Sequence, residues 1–147
     1  MKTKCTILML ILILLFCSCA KIAVPKPEGF AEIAAGKEYR AVSPEGMPFR
    51  VRSFKNYPEM DLAFWKDALK SHLIQEGYKF ISEVTPDESR EDIVCFEWGA
   101  PYGGADYIYL TAVKVKGKKI FVAEAAGKME IYGKYRQSLL DSLAELD

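Results

Sequence analysis

The chain has 147 residues, of which 50 % are hydrophobic and 12 % aromatic, and it carries 20 basic and 20 acidic side chains. This balance excludes the strongly basic surface that nucleic-acid-binding domains present, so we expect no nucleic acid partner. The apolar and aromatic content also excludes a disordered chain and favours one folded domain with a sizeable core.

Residues 1–18 have the organisation of an export signal. Lys2 and Lys4 precede an uninterrupted apolar run from Ile7 to Phe16, and small residues follow the run. A membrane-spanning helix needs about 20 apolar residues, and Lys21 places a charge soon after this shorter run. Removal of the segment during export is therefore the better interpretation.

The end of this segment, Leu15-Phe16-Cys17-Ser18-Cys19, resembles the lipobox of bacterial lipoproteins. The resemblance implies cleavage before Cys19, acylation of Cys19 by groups such as palmitate, and a lipid-anchored protein of the cell envelope. Because Ala20 follows the cysteine where an inner-membrane lipoprotein has aspartate, the resemblance further implies the periplasmic face of the outer membrane. An ordinary cleaved secretory signal and an uncleaved signal anchor remain the alternatives.

The predicted organisation is a signal peptide over residues 1–18, a lipidated cysteine and tether over 19–37, and a single α+β domain over 38–147. The first part of the tether contains two prolines and one glycine and has no sustained hydrophobic period, which is typical of an extended linker. Residues 30–37 fit either the tether or one helical turn. Cys5 and Cys17 leave with the signal peptide and Cys19 is acylated, so Cys95 is the only free cysteine expected and no intramolecular disulfide is predicted. Cys95 itself is predicted to be a small buried hydrophobic residue.

The mature chain predicts an antiparallel sheet of about five strands with two amphipathic helices packed on it. A helix between residues 58 and 76 has apolar side chains at steps of three and four and is closed by Gly77. A second helix runs from residue 128 or from beyond Gly133 to about residue 146. Strands are predicted at 49–55, 78–84, 93–98, 106–115 and 119–125, with weaker alternation at 38–43, and the last three form a meander closed by a hairpin at 116–118.

Residues 120–136, which run into Leu139, Leu140 and Leu143, are similar to the close of the PsbP-like sandwich, where a strand leads into a helix on the sheet. This resemblance implies the same α+β fold. In the strand at 49–55, Arg50 and Arg52 share one face, and a solvated sheet face is favoured there over an anion site because one pair of charges shows no convergence of donors.

The segment from Gly99 to Asp106 is the most distinctive non-periodic stretch and contains three glycines. Phosphate-binding glycine loops lead from a strand into a helix, whereas strands are predicted on both sides of this segment. We therefore expect a flexible hairpin loop. Tyr102, Gly103, Gly104 and Asp106 are the candidates for contact with a ligand or partner.

The remaining candidates for chemistry are few. Glu97, Glu124 and Glu130 are the only candidates for a carboxylate cluster. Glu97 and Glu124 lie within strands of the same meander and could share a face, although solvated glutamates are the more common outcome. His72, the only histidine, lies at the end of a helix, where capping or edge packing is the favoured role. No catalytic residue, metal site or cofactor is predicted.

Two functions are consistent with these patterns. The first is a non-enzymatic envelope lipoprotein that binds a protein partner or a small ligand. The second is a lipid-anchored hydrolase that uses Glu97 and Glu124 on envelope glycans.

Overall fold

A computed structural model describes residues 23–33, 36–102 and 105–147, with only the backbone described at 101 and 102. Cys19, Gly103 and Gly104 lie outside the described residues. The described helices are each too short or too polar to cross a membrane. The strands are β1 (Ala31–Ile33), β2 (Tyr39–Val42), β3 (Pro48–Lys55), β4 (Lys79–Val84), β5 (Ile93–Tyr102), β6 (Ala105–Lys116) and β7 (Lys119–Lys128); the helices are α1 (Leu62–Gln75) and α2 (Met129–Ala144).

The strands form one antiparallel sheet in the order β1-β2-β3-β7-β6-β5-β4. The predicted class, an antiparallel sheet with two helices, is confirmed, but the predicted number of about five strands is wrong because the described sheet has seven. Strands β4 to β7 form a meander, and β7 then pairs with β3, so residues about 70 positions apart in the chain are neighbours. The short β1 is defined by its pairing with β2 and has no hydrophobic period of its own.

Helix α1 packs on one face of the meander. The side chain of Asp61 caps its start by accepting a hydrogen bond from the backbone N–H of Phe64, so the helix begins later than residue 58. Gly77 follows its end with a φ of 89°, a left-handed conformation that glycine adopts without strain. The predicted apolar stripe of α1 packs against β5 and β6, with Leu62, Trp65, Leu69 and Leu73 contacting Phe96, Trp98 and Val113.

Helix α2 covers the opposite face of the sheet, so β5 and β6 are buried on both sides. Successive residues of β5 alternate between the two cores, with Cys95 towards α2 and Phe96 towards α1. This arrangement explains why the sequences of β5 and β6 are apolar at consecutive positions. Helix α2 begins at Met129, so Gly133 lies inside it. Its buried stripe includes Tyr132, Tyr135, Leu139 and Leu143.

Residues 23–29 run along α2, and we call this segment the N-terminal strap. Near one end of the strap the carbonyl of Ala23 accepts a hydrogen bond of 3.5 Å from the backbone N–H of Asp147, and near the other the carbonyl of Glu28 accepts one of 3.1 Å from Ser138 Oγ. Phe30 then enters the core, where its ring lies edge-on to Tyr135 at 5.2 Å between centroids. The packed domain therefore includes residues 23–33 of the predicted tether.

Candidate functional site

The glycine-containing segment from Gly99 to Asp106 is mostly β-strand where the structure describes it. Gly99 to Tyr102 complete β5, and Asp106 lies in β6, with Pro101 opposite Asp106 and Tyr102 opposite Ala105. The predicted hairpin loop from Gly99 to Asp106 is shorter than expected, because Gly99 to Tyr102 continue β5 and Ala105 and Asp106 belong to β6. The structure thus places Tyr102 and Asp106 at one tip of the sheet, and Gly103 and Gly104 lie outside the described residues.

Glu97 and Glu124 lie on opposite faces of the sheet, which corrects the expectation that they share one. Glu97 is opposite Leu110 in β6, and Leu110 is opposite Ala125 in β7, so Glu124 is offset by one residue from the row of Glu97. Since side chains alternate between faces along a strand, the two carboxylates point away from each other. They cannot act together on one glycosidic bond, and Glu130 lies in the first turn of α2.

Glu97 is part of a buried polar cluster beneath α2. Its carboxylate accepts hydrogen bonds from Tyr132 Oη at 2.6 Å, Arg136 Nε at 2.6 Å and Ser82 Oγ at 2.7 Å. Burial raises the pKa of the Glu97 carboxyl, but the hydrogen bonds from Arg136, Tyr132 and Ser82 outweigh it, so that the pKa lies below its ordinary value. Burial and the adjacent Glu97 raise the pKa of Tyr132. Both oxygens of the Glu97 carboxylate accept hydrogen bonds from within the domain, so this cluster links α2 to the sheet.

Glu124 is the centre of a second cluster, on the α1 face of the sheet. Arg50 lies directly opposite Glu124 in the β3–β7 ladder. Both Arg50 Nη2 and Arg52 Nη2 lie 2.8 Å from Glu124 Oε2, and Tyr109 Oη lies 2.5 Å from Oε1. Burial raises the pKa of Glu124, but the donors from Tyr109 and Arg50 and the positive charge of Arg52 bring it below its ordinary value. The two arginines therefore converge on a carboxylate, which sequence alone did not show.

A groove of about 460 Å³ lies beside this second cluster. It exists because α1 packs over β5 and β6, whereas β1, β2 and β3 extend beyond that helix. Apolar side chains form much of its lining, among them Ile33, Val42 and Ala126. The polar part of the lining consists of Arg40, Arg50, Tyr109 and Glu124. Pockets that combine an apolar lining with a few fixed polar groups are typical of ligand-binding sites.

The groove was missed by sequence reasoning because it depends on the β3–β7 pairing. The signal that could have found it is the pair of arginines on alternate residues of β3, together with one glutamate on a later strand. His72 is exposed on the last turn of α1. Among residues 23–33, 36–102 and 105–147, no group of three or more histidine, cysteine, aspartate or glutamate side chains could hold a metal ion.

Comparison with known proteins gives similarity in structure only. No family model and no curated protein sequence matches the chain. A solved structure of the Ran-binding protein Mog1p from Saccharomyces cerevisiae is similar, with a TM-score of 0.60 and 10 % identity over 88 % of this chain and 89 % of that one. A mutant of protein Mog1 gives a TM-score of 0.59 and 11 % identity over 85 % and 87 % of the two chains. At these identities, the likeness shows that this chain shares the fold of Mog1.

Proposed function

We propose that this protein is an envelope lipoprotein, anchored through acylated Cys19, that acts as a non-enzymatic binding module. The observation that carries the binding role is the groove beside the Arg50–Glu124–Tyr109 cluster. Its polar groups are held by ion pairs and hydrogen bonds within the sheet, so a ligand meets a surface that is already ordered. The ligand or partner segment that fits this surface has an apolar body and one polar group.

The structural likeness to Mog1 supports the binding role. One Mog1 structure is described as a Ran-binding protein, so a domain of this fold serves there to bind another protein. A protein partner in the envelope is accordingly the first candidate here, with a small ligand as the second. The finer fold assignment, a PsbP-like sandwich, rests on the sequence of residues 120–136 and is also part of the proposal.

The anchor is tested on the chain isolated from bacterial membranes. We expect the N-terminal peptide to begin at Cys19 and to carry acyl chains, and the Cys19→Ser variant to incorporate no labelled palmitate. A peptide that begins elsewhere, or an unmodified Cys19, would refute the lipoprotein assignment.

The binding role is tested separately with a photoreactive residue placed in the groove at position 126. A matched control carries the same residue at position 71, where Ser71 is exposed on α1. We expect adducts from position 126 only, with a mass that distinguishes a protein from a small molecule. We also expect Val42→Glu, which places a charge in the groove, to abolish them. Equal adducts from both positions would contradict the assignment of the groove.

A further inference from the structure

The position of the N-terminal strap restricts how the domain can face a membrane. Ala23 is hydrogen-bonded to Asp147, and Asp147 Oδ1 lies 3.4 Å from Lys116 Nζ at the end of β6. The chain therefore enters the domain beside the β6–β7 hairpin. Residues 20–22 alone separate Cys19 from Ala23, and four extended residue steps reach at most about 14 Å.

Four exposed lysines lie at this end of the sheet. Lys119 of β7 is opposite Lys55 of β3 on one side and opposite Lys116 of β6 on the other. Lys118 occupies the hairpin turn between them. Like charges directly opposite each other in a sheet are unfavourable. In the described part of the chain no ion pair joins Lys55, Lys118 or Lys119 to a carboxylate, so their charges are available to a partner.

An exposed aromatic side chain stands in the same place. Tyr57 is 86 % exposed and follows Lys55 directly. Its position is fixed by the buried Asn56, whose amide nitrogen donates to the carbonyls of Met60 and Gly117 and whose amide oxygen accepts from Trp65 Nε1. The backbone N–H of Asn56 also donates to the carbonyl of Lys118. This segment and the hairpin thus form one rigid surface.

We infer that this surface, consisting of Lys55, Tyr57, Lys116, Lys118 and Lys119, rests on the membrane and contacts anionic phospholipid headgroups. Tyrosine is enriched at the level of the headgroups, and each lysine near an anionic leaflet contributes favourable electrostatic energy. Glu59, Asp61 and Asp147 lie at the same end. Asp92, whose carbonyl accepts from Val115 of β6, lies on the β5 side of this end and is paired with Arg90 and Lys114. The positive charges at this end without an ion pair are therefore those of Lys55, Lys118 and Lys119, among the described residues. The inference rests on the proposed acylation of Cys19, which brings this end within reach of the bilayer.

The orientation has a consequence for the rest of the sheet. Strand β6 extends from the lysine end to the hairpin that contains Tyr102 and Asp106, and its 12 residues span about 37 Å. The tip of the sheet that holds Tyr102 and Asp106 therefore faces away from the membrane. Glu124 is five residues along β7 from Lys119, which places the groove about 17 Å from the lysine end.

The test uses the acylated full-length product purified from membranes and placed in phosphatidylcholine vesicles with or without phosphatidylglycerol. Labelling of lysine amines is followed by peptide mass spectrometry. With phosphatidylglycerol we expect labelling of Lys118 and Lys119 to slow about fivefold, the change that about 1 kcal/mol per lysine gives. Labelling of Lys79 and Lys128, which lie at the opposite end, should not change.

Variants separate this inference from the proposal on which it rests. Lys118→Glu with Lys119→Glu should remove the protection of Lys55 and Lys116, whereas Lys79→Glu with Lys128→Glu should retain it. If Cys19 is acylated but labelling at the lysine end is the same in both kinds of vesicle, the docking surface is overturned and the lipoprotein assignment stands. If Cys19 is not acylated in the membrane-derived protein, both are overturned.

Discussion

Replacement of Arg136 by methionine tests the structural role of the buried cluster around Glu97. The variant keeps the apolar part of the side chain but removes the donor 2.6 Å from the Glu97 carboxylate, leaving Tyr132 and Ser82 as its partners. Removal of one partner from a fully buried ion pair costs about 3–5 kcal/mol. The Arg136 side chain is 39 % exposed, so part of this interaction is already screened by water. We expect a loss of about 2–3 kcal/mol in the free energy of unfolding.

The assay is urea unfolding followed by tryptophan fluorescence, in which Trp98 reports on the core. A loss of this size lowers the melting temperature by about 5–10 °C for a domain of this length. Gln137→Met is the matched control, because Gln137 is the next residue on α2, is exposed, and donates a hydrogen bond to Asp141 on the same helix. A change of less than about 0.5 kcal/mol for Arg136→Met, the range of ordinary surface substitutions, would refute the role assigned to the cluster.

The difference in unfolding free energy between the wild type and Arg136→Met should also depend on pH, in a direction set by the pKa of Glu97. In the wild type the folded pKa of Glu97 lies below its unfolded value of about 4.3. Its contribution to stability is therefore fully present above that unfolded value and is lost as pH falls through the lower folded pKa. Without Arg136 the effect of burial, which raises the pKa of Glu97, is opposed by fewer donors. We expect the stability difference between wild type and Arg136→Met to narrow below about pH 4, whereas a constant difference would contradict the role of the ionised carboxylate.

Three further predictions concern the core and the chain ends. Gly29→Ala should cost more stability than Gly46→Ala, measured by thermal melts. Both glycines have φ above 80°, but an added Cβ at Gly29 would lie 2.8 Å from Tyr135 Cε1, whereas Gly46 has open space. Burial raises the pKa of the Cys95 thiol to about 12, so an alkylating reagent at pH 8 should modify Cys95 in urea but not in the folded protein. Peptide mass spectrometry measures the modification. Rapid modification of the folded protein would contradict the buried position of Cys95. Lys114→Met should increase the rate of amide hydrogen exchange at residues 144–147, because the buried Lys114 ammonium donates to the Leu146 carbonyl. An unchanged exchange rate at these residues would show that this contact does not hold the end of the chain.

Much of the fold was predictable because it follows from local patterns. The stripe of Leu62, Trp65, Leu69 and Leu73 predicted α1 correctly, and Gly77 ends it as expected. The hairpin at residues 116–118 is also confirmed, with Gly117 at a φ of 55°. These features depend on residues a few positions apart, which is the range over which helical periodicity and turn chemistry act.

The faces of individual strands were less predictable. Strict alternation along β4 would place Phe80 and Ser82 on the same face. Instead, Phe80 packs against Trp98 on the α1 side, while Ser82 donates a hydrogen bond to Glu97 on the α2 side. The cause is a shift of register between Phe80 and Ser82, where one extra residue changes the alternation. No hydrophobic pattern reveals such a bulge.

The candidate site was the least predictable part, because it depends on register between distant strands. The pairing of Arg50 with Glu124 joins residues 74 positions apart. A slip of one residue in the β5–β6 pairing or in the β6–β7 pairing would have placed Glu97 and Glu124 on the same face. The sequence contains the charged residues of the cluster but not the register that brings them together.

The N-terminal strap also determines how the domain would respond to a mechanical load. If a membrane anchor pulls on Ala23 while a partner bound in the groove pulls on the sheet, the force first acts on the hydrogen bonds that residues 23–28 make with α2 and Asp147. Because these bonds are arranged along the segment, they would break sequentially. The buried ring of Phe30 would then resist further detachment of the strap. Seven released residues add at most about 25 Å of length while the sheet stays folded. Detachment of the strap would thus let the distance between the bilayer and the bound partner increase under load without unfolding the sheet.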